Sequence, residues 1–100
     1  MIRGEDILRI FPERMRPRWQ KTAGFAQQLQ EIRLRVAKPV LLYIDGMEFF
    51  QEETGEVVYH AVRPAVTMQE DLDQLIAYAC SYSMYAFEEE ISRGYLTLPG

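Results

Sequence analysis

Cysteine is almost absent from this 100-residue sequence, since Cys80 is its only cysteine. A single cysteine excludes an internal disulfide and is typical of proteins in a reducing compartment. Long hydrophobic runs are missing too, because no segment approaches the roughly 20 apolar residues that a membrane-spanning helix needs. The N-terminus carries early acids and only a short apolar patch, which does not fit a secretory signal. We therefore expect a cytoplasmic protein without direct membrane insertion.

The usual catalytic motifs are also missing. The sequence contains no G-x-x-x-x-G-K-[ST] phosphate loop, no G-x-G-x-x-G and no G-x-S-x-G. The single histidine, His60, has no cysteine nearby, so we expect no metal site. Adjacent helical residues point about 100° apart, which makes Glu88, Glu89 and Glu90 a solvated face rather than a carboxylate pair. Cys80 ends an apolar helical stripe and is interpreted as a packing residue. We predict no catalytic residues and no enzymatic activity for this chain.

Charge is unevenly distributed along the sequence. Residues 1–38 contain nine Lys or Arg against four Asp or Glu, a net +5, whereas residues 39–100 contain two against eleven, a net −9. Such a split can pair within one fold, attract one copy to another, or be a coincidence of solvated faces. Residues 14–21 interleave four cations with Trp19, a pattern that also suits nucleic acid. Because Pro17 interrupts this short segment and the chain is acidic overall, we expect no nucleic-acid partner.

The stretch that organises the fold is 31–50. Its first part alternates apolar and charged residues, as a half-buried strand does, with Ile32, Leu34 and Val36 on the inner face and Glu31, Arg33 and Arg35 on the outer face. After Pro39 a second apolar run leads to Asp45-Gly46, which predicts a β-hairpin because both residues tolerate positive φ. Further strands are predicted over 57–62 and 95–98.

Helical patterns flank these strands. Acids followed by apolar residues predict a short helix over 5–11, stopped by Pro12, and Phe25 and Leu29 are expected core anchors. Thr67 and Glu70 match a capping box before a predicted helix over 68–81. Ser83 is expected to cap a second helix over 84–93, with Gly94 as its C′ residue.

These patterns together predict an α+β fold, in which a mostly antiparallel sheet packs on helices. We expect one small domain over 1–100. It consists of a helical segment at 1–28, a strand meander at 29–62, a helix pair at 67–93 and a strand at 94–98. The expected core includes Leu72, Leu75, Ile76 and Phe87 besides the inner face of the first strand.

Two separated strings, EIRLRVAKPVLLYIDG and YSMYAFEEEISRGYLTLPG, resemble the N-terminal region of the stage III sporulation protein AA family. That family is similar to the ring-forming ATPases of type II and type IV secretion systems and pilus motors. The resemblance covers roughly residues 29–100. It implies that an α+β N-terminal domain precedes a RecA-like ATPase domain, which is absent from this chain.

The resemblance also implies a function. The chain would be a non-catalytic N-terminal module that contributes to ring assembly and to the nucleotide cleft, for transport between mother cell and forespore. The isolated chain would need no cofactor, whereas ATP and Mg²⁺ belong to the full-length parent. Its partners would be its own ATPase domain, neighbouring subunits of a homo-oligomeric ring, and sporulation membrane-channel proteins through which it becomes peripheral to a membrane. The alternative is a free-standing protein-interaction domain that does not contact nucleotide.

Three arginines are the candidate cofactor-binding residues that the resemblance implies. In secretion ATPases of this kind, basic residues of the N-terminal domain approach the phosphates of ATP. Arg33 and Arg35 match that role, and Arg93, just before the last strand, is a further candidate. Guanidinium groups suit phosphate oxygens because they donate two parallel hydrogen bonds. The opposing interpretation is that Arg33 and Arg35 pair with the acids of residues 68–90.

Overall fold

The centre of the computed structural model, which describes residues 2–98, is a five-stranded antiparallel sheet flanked by helices. Met1, Pro99 and Gly100 lie outside the described residues. The strands are β1 (Leu29–Arg33), β2 (Leu41–Ile44), β3 (Met47–Gln51), β4 (Val57–Val58) and β5 (Tyr95–Thr97). The helices are α1 (Gly4–Leu8), α2 (Arg16–Ala23), α3 (Gln69–Ser81) and α4 (Tyr85–Ser92), with a 3₁₀ turn at Glu13–Met15. The predicted α+β class is confirmed.

The strand order β4-β3-β2-β1-β5 places the first strand beside the last. β1 to β4 form a meander, in which each strand pairs antiparallel with the next. β5 then returns to the free side of β1, pairing Ile32 with Leu96 and Arg33 with Tyr95. β1 therefore has a neighbour on each side, and residues from distant parts of the sequence meet along it.

The β2–β3 hairpin confirms the prediction from Asp45-Gly46. Asp45 has φ 51° and Gly46 has φ 76°, and Ile44 pairs with Met47 across the turn. Two positive φ values in succession match the backbone twist of the flanking strands. This local turn sets the register of β2 against β3.

The core lies between one face of the sheet and the helices. Trp19 of α2 is 1% exposed and stacks on Phe11 with ring centroids 4.1 Å apart. This pair belongs to the same cluster as the inner residues of the sheet and the later helices, which include Ile32, Leu34, Leu42, Leu72, Leu75, Ile91 and Leu96. Ile76 and Phe87 are only partly buried at its margin.

The end of β1 differs from the prediction. The strand ends at Arg33, and Val36, an expected core residue, is 43% exposed. Ala37 has φ 64° and its amide donates to the carbonyl of Thr67, while Val36 forms an isolated parallel bridge with Thr67. The chain therefore turns away from the sheet before the alternation of the sequence is complete.

The fourth strand is shorter than the predicted 57–62 and ends at Val58. The chain that follows it returns to the far end of β3, where Ala65 bonds to both Gln51 and Val40. The Ala65 amide donates to the Gln51 carbonyl at 2.7 Å, and the Glu53 amide donates to the Arg63 carbonyl at 2.9 Å.

Of the two expected core anchors before β1, only one is buried. The prediction for Phe25 was wrong, since its side chain is 38% exposed, whereas Leu29 is fully buried as expected.

Helix boundaries also shift from the predictions. α1 ends at Leu8 rather than at Phe11. Thr67 is buried rather than capping, and the Asp71 carboxylate accepts a hydrogen bond from the Met68 amide at 2.8 Å. Met68 is therefore the N-cap, and α3 begins one residue later than predicted. Ser83 has φ 56° and belongs to the turn before α4 rather than to its cap. Gly94 has φ 94°, as expected for a residue that ends a helix.

Within residues 2–98, no helix is long and apolar enough to cross a membrane.

Candidate functional site

The outer face of the sheet carries the candidate arginine of β1. Glu31 and Arg33 lie opposite Thr97 and Tyr95 of β5, on the face turned away from the buried Ile32 and Leu96. Their side chains remain partly exposed, because the core cluster of the described residues lies on the opposite face. The predicted inward and outward alternation of β1 is thus confirmed as far as Leu34.

Arg33, Arg35 and Arg93 line one shallow depression of about 310 Å³ together with Glu31, Gly94 and Tyr95. β1–β5 pairing produces this convergence, since the Leu34 amide donates to the Gly94 carbonyl at 2.8 Å. That hydrogen bond holds the α4–β5 turn beside Arg35. We call these six residues the basic depression.

Gly94 allows the close approach of Arg35. A side chain at Gly94 would place its Cβ only 3.2 Å from Cγ of Arg35. The φ of 94° is also one that glycine adopts far more readily than other residues. Backbone conformation and space therefore both favour glycine at this point.

Arg33 is held in place from two sides. Its Nε donates to Oε2 of Glu31 at 2.6 Å, and its guanidinium carbon lies 4.9 Å from the ring centroid of Tyr43. The hydrogen bond to Glu31, together with its charge, raises the pKa of Arg33 above its usual value. The Tyr43 hydroxyl in turn donates to Oε2 of Glu48 at 3.1 Å, and partial burial raises the pKa of Tyr43. Arg33 is therefore oriented by Glu31 of β1 and Tyr43 of β2.

The other two arginines are less constrained. Arg93 donates to Oε1 of Glu89 at 2.9 Å, but both side chains are exposed, so this pair is weak and easily exchanged. The Arg35 side chain is exposed and forms no hydrogen bond or ion pair with any residue between 2 and 98. Neither Arg33 nor Arg35 forms an ion pair with the acids of residues 68–90 in this part of the chain, which contradicts the opposing interpretation.

This arrangement has the chemistry of an anion site. Three arginines and one carboxylate line the depression, and each guanidinium can donate two parallel hydrogen bonds to a phosphate or carboxylate. No group of three or more His, Cys, Asp or Glu side chains suited to a metal ion occurs within residues 2–98. What the depression offers chemically is a set of guanidinium donors that suit an anion.

Sequence reasoning missed three members of the basic depression as site residues: Glu31, Gly94 and Tyr95. The outer-face alternation places Glu31 beside Arg33, so that signal was present. The contribution of Gly94 and Tyr95 depends on the pairing of β5 with β1, which no local pattern specifies. Cys80, interpreted as a packing residue, is exposed instead.

Fold and site together define a small α+β domain with a basic depression on the outer face of its sheet. The sequence model of the family described as "Sporulation stage III, protein AA" matches residues 1–100, and the chain belongs to this family.

A curated relative is "Stage III sporulation protein AA" of Bacillus subtilis (strain 168), which is 29% identical over 73 residues. The match covers 73% of this chain and 20% of the relative, so the chain aligns with about a fifth of the length of that protein. No solved structure matches the chain.

Proposed function

We propose that this chain is the non-catalytic N-terminal module of a sporulation ATPase that resembles secretion and pilus motor ATPases. In this proposal the basic depression contributes to the nucleotide cleft of an assembled ring, which drives transport between mother cell and forespore. The observation that supports it is that all three candidate arginines line one depression, with the Arg35 guanidinium unpaired among residues 2–98.

The three arginines have different tasks in this proposal. Arg35, which has no competing partner among the described residues, donates directly to a phosphate oxygen of ATP. Arg33 is oriented by Glu31 and Tyr43 and adds a second charge, while Arg93 exchanges its exposed pair with Glu89 for the ligand. The phosphate loop and the magnesium ligands come from the ATPase domain of the parent, so the chain alone is expected to hydrolyse no ATP.

ATPase kinetics on the full-length parent test this function. Arg35→Ala should lower ATP turnover or kcat/KM about ten- to hundredfold, since a charge-assisted hydrogen bond is worth about 1.5–3 kcal/mol. Arg35→Lys should recover part of the loss, because lysine keeps the charge without the planar fork. Arg33→Ala and Arg93→Ala should have smaller effects, because both side chains also contact other groups.

Arg63→Ala is the matched control, because Arg63 is an exposed arginine outside the basic depression. It should leave turnover unchanged. Arg35→Ala and Arg63→Ala should both melt within a few degrees of the wild type, since neither side chain has an ion pair to lose among residues 2–98. Normal turnover of Arg35→Ala would reject the nucleotide role. A parallel loss of activity and melting temperature would make the arginine structural.

A further inference from the structure

One edge of the sheet is formed by β5, which pairs with β1 on one side and with no strand of residues 2–98 on the other. On the paired side, the Leu98 amide donates to the Gln30 carbonyl at 2.9 Å. Hydrogen-bonding groups alternate between the two sides of an antiparallel strand. The backbone amides and carbonyls of Tyr95 and Thr97 therefore point away from β1, toward the open edge.

Glu90 of α4 covers one donor of this edge. The Thr97 amide, at an exposed residue, donates to Oε1 of Glu90 at 3.1 Å. An incoming strand would offer a backbone carbonyl oxygen to the same amide. The carboxylate opposes that strand in two ways, because it already occupies the donor and because its negative charge repels the oxygen of the incoming carbonyl.

The edge that Glu90 covers is self-complementary. β5 consists of Tyr95, Leu96 and Thr97, which are uncharged, and two of them are of the aromatic and β-branched types that favour strands. When two copies pair antiparallel with their Leu96 residues opposite each other, Tyr95 of each copy lies opposite Thr97 of the other. These are the residues whose backbone groups point outward, so each such pair exchanges both of its hydrogen bonds. A second copy of the chain therefore fits this edge about a two-fold axis.

We propose that Glu90 is a guard residue, which keeps β5 from pairing with β5 of a second copy. The inference does not rest on the proposed function, because it concerns the backbone edge of β5 and not the arginines of the basic depression. A two-fold contact closes after two copies, so this pairing would compete with any larger assembly of the chain. Glu90 prevents that competition by a single side-chain contact.

The association state of the 100-residue chain tests this inference. Translational diffusion and the amide chemical shifts of residues 94–98 are measured by NMR from micromolar to millimolar protein concentration. The wild type should remain monomeric, whereas Glu90→Ala should dimerise with a dissociation constant at least about tenfold lower, since a charge-assisted hydrogen bond no longer competes. Glu90→Gln should lie between the two, because its amide oxygen still accepts a hydrogen bond. At low concentration, the Thr97 amide of Glu90→Ala should also exchange its hydrogen faster than that of the wild type.

Glu89→Ala is the matched control, since it removes the same charge from the neighbouring position of α4, where Glu89 pairs with Arg93. It should leave the chain monomeric and the exchange of Thr97 unchanged. Adding Thr97→Pro to Glu90→Ala should abolish dimerisation, because proline removes the outward N–H without the loss of a hydrogen bond to β1. A monomeric Glu90→Ala variant, equal association of Glu89→Ala, or dimerisation that survives Thr97→Pro would each overturn the inference.

Discussion

The reactivity of the Cys80 thiol depends on which side of helix α3 the residue occupies. Cys80 follows the buried Ala79 of α3 but points away from the core and is exposed. The surrounding protein partly desolvates the thiol, which disfavours the thiolate. A hydrogen bond to Glu88 and the negative charge of Glu88 disfavour the thiolate further. Together they raise the pKa of Cys80. An exposed thiol with a raised pKa is accessible but holds little thiolate at neutral pH.

Alkylation of Cys80 by iodoacetamide should therefore require a higher pH than alkylation of an unstructured peptide. The rate follows the thiolate fraction, so its midpoint should lie above that of a peptide with the sequence of residues 77–83. Glu88→Gln should move the midpoint down, because it removes the charge that opposes ionisation. Glu89→Gln, a neighbouring acid that does not affect this thiol, should leave it in place. A midpoint at or below that of the peptide would contradict the assignment.

At the scale of elements, the α4–β5 turn combines a helix end with one wall of the basic depression. Gly94 and Gly46 both have positive φ, but an added Cβ meets Arg35 only at Gly94, whereas nothing lies within 4 Å of it at Gly46. Alanine substitutions at these two glycines therefore separate the energetic cost of backbone strain from the cost of the contact between the new Cβ and Arg35.

Gly94→Ala should destabilise the chain more than Gly46→Ala. Strain at positive φ costs about 1 kcal/mol at either position, and displacement of Arg35 should bring the total for Gly94→Ala to about 1–3 kcal/mol. Denaturant titration of both variants measures the free energy of unfolding. Equal losses would show that the approach to Arg35 costs nothing.

Local chemistry explains which elements the sequence predicts. Asp45-Gly46 and Gly94 are correctly predicted because their conformations depend on the residues themselves. The predictions for Val36 and Ser83 were wrong. Ala37, which follows Val36, and Ser83 itself adopt positive φ values that their own side chains do not favour. Tertiary contacts such as the Ala37–Thr67 hydrogen bond impose those conformations.

At the scale of the whole molecule, the N-terminal helices share one core with the sheet. Trp19 and Phe11 belong to the same buried cluster as Leu42 of β2 and Leu96 of β5. Trp19 is also the only tryptophan, so the tryptophan fluorescence comes from a residue of the N-terminal segment.

Unfolding should therefore be a single transition. Trp19 fluorescence and far-ultraviolet circular dichroism should give the same midpoint in a urea titration, because one shared core makes the segments cooperative. Separate midpoints would show that residues 1–28 form an independent unit. Phe11→Ala should lower both midpoints by the same amount, because the N-terminal segment and the sheet unfold together.

The basic depression itself is a product of the whole molecule. The resemblance indicated Arg33, Arg35 and Arg93 one by one, but their meeting depends on the pairing of β1 with β5, about 60 residues apart in sequence.

The net positive charge of residues 1–38 and the net negative charge of residues 39–100 are only slightly neutralised by ion pairs within the fold. Among the ion pairs of residues 2–98, Lys21–Glu56 alone joins the basic first part of the chain to the acidic second part. Attraction between copies thus stays a prediction.

The place of β1 beside β5 has a consequence for biosynthesis. When β1 leaves the ribosome its β2 neighbour follows at once, but β5 emerges only after about 60 further residues, or roughly 3–12 s at typical translation rates. During that interval one edge of β1 has no partner and is open to pairing with other nascent chains. Arg33 and Arg35 place charges on or just beyond this strand, and charged residues on an open edge oppose such pairing. The arginines that line the depression in the folded chain therefore also oppose wrong strand pairing while the sheet is still incomplete.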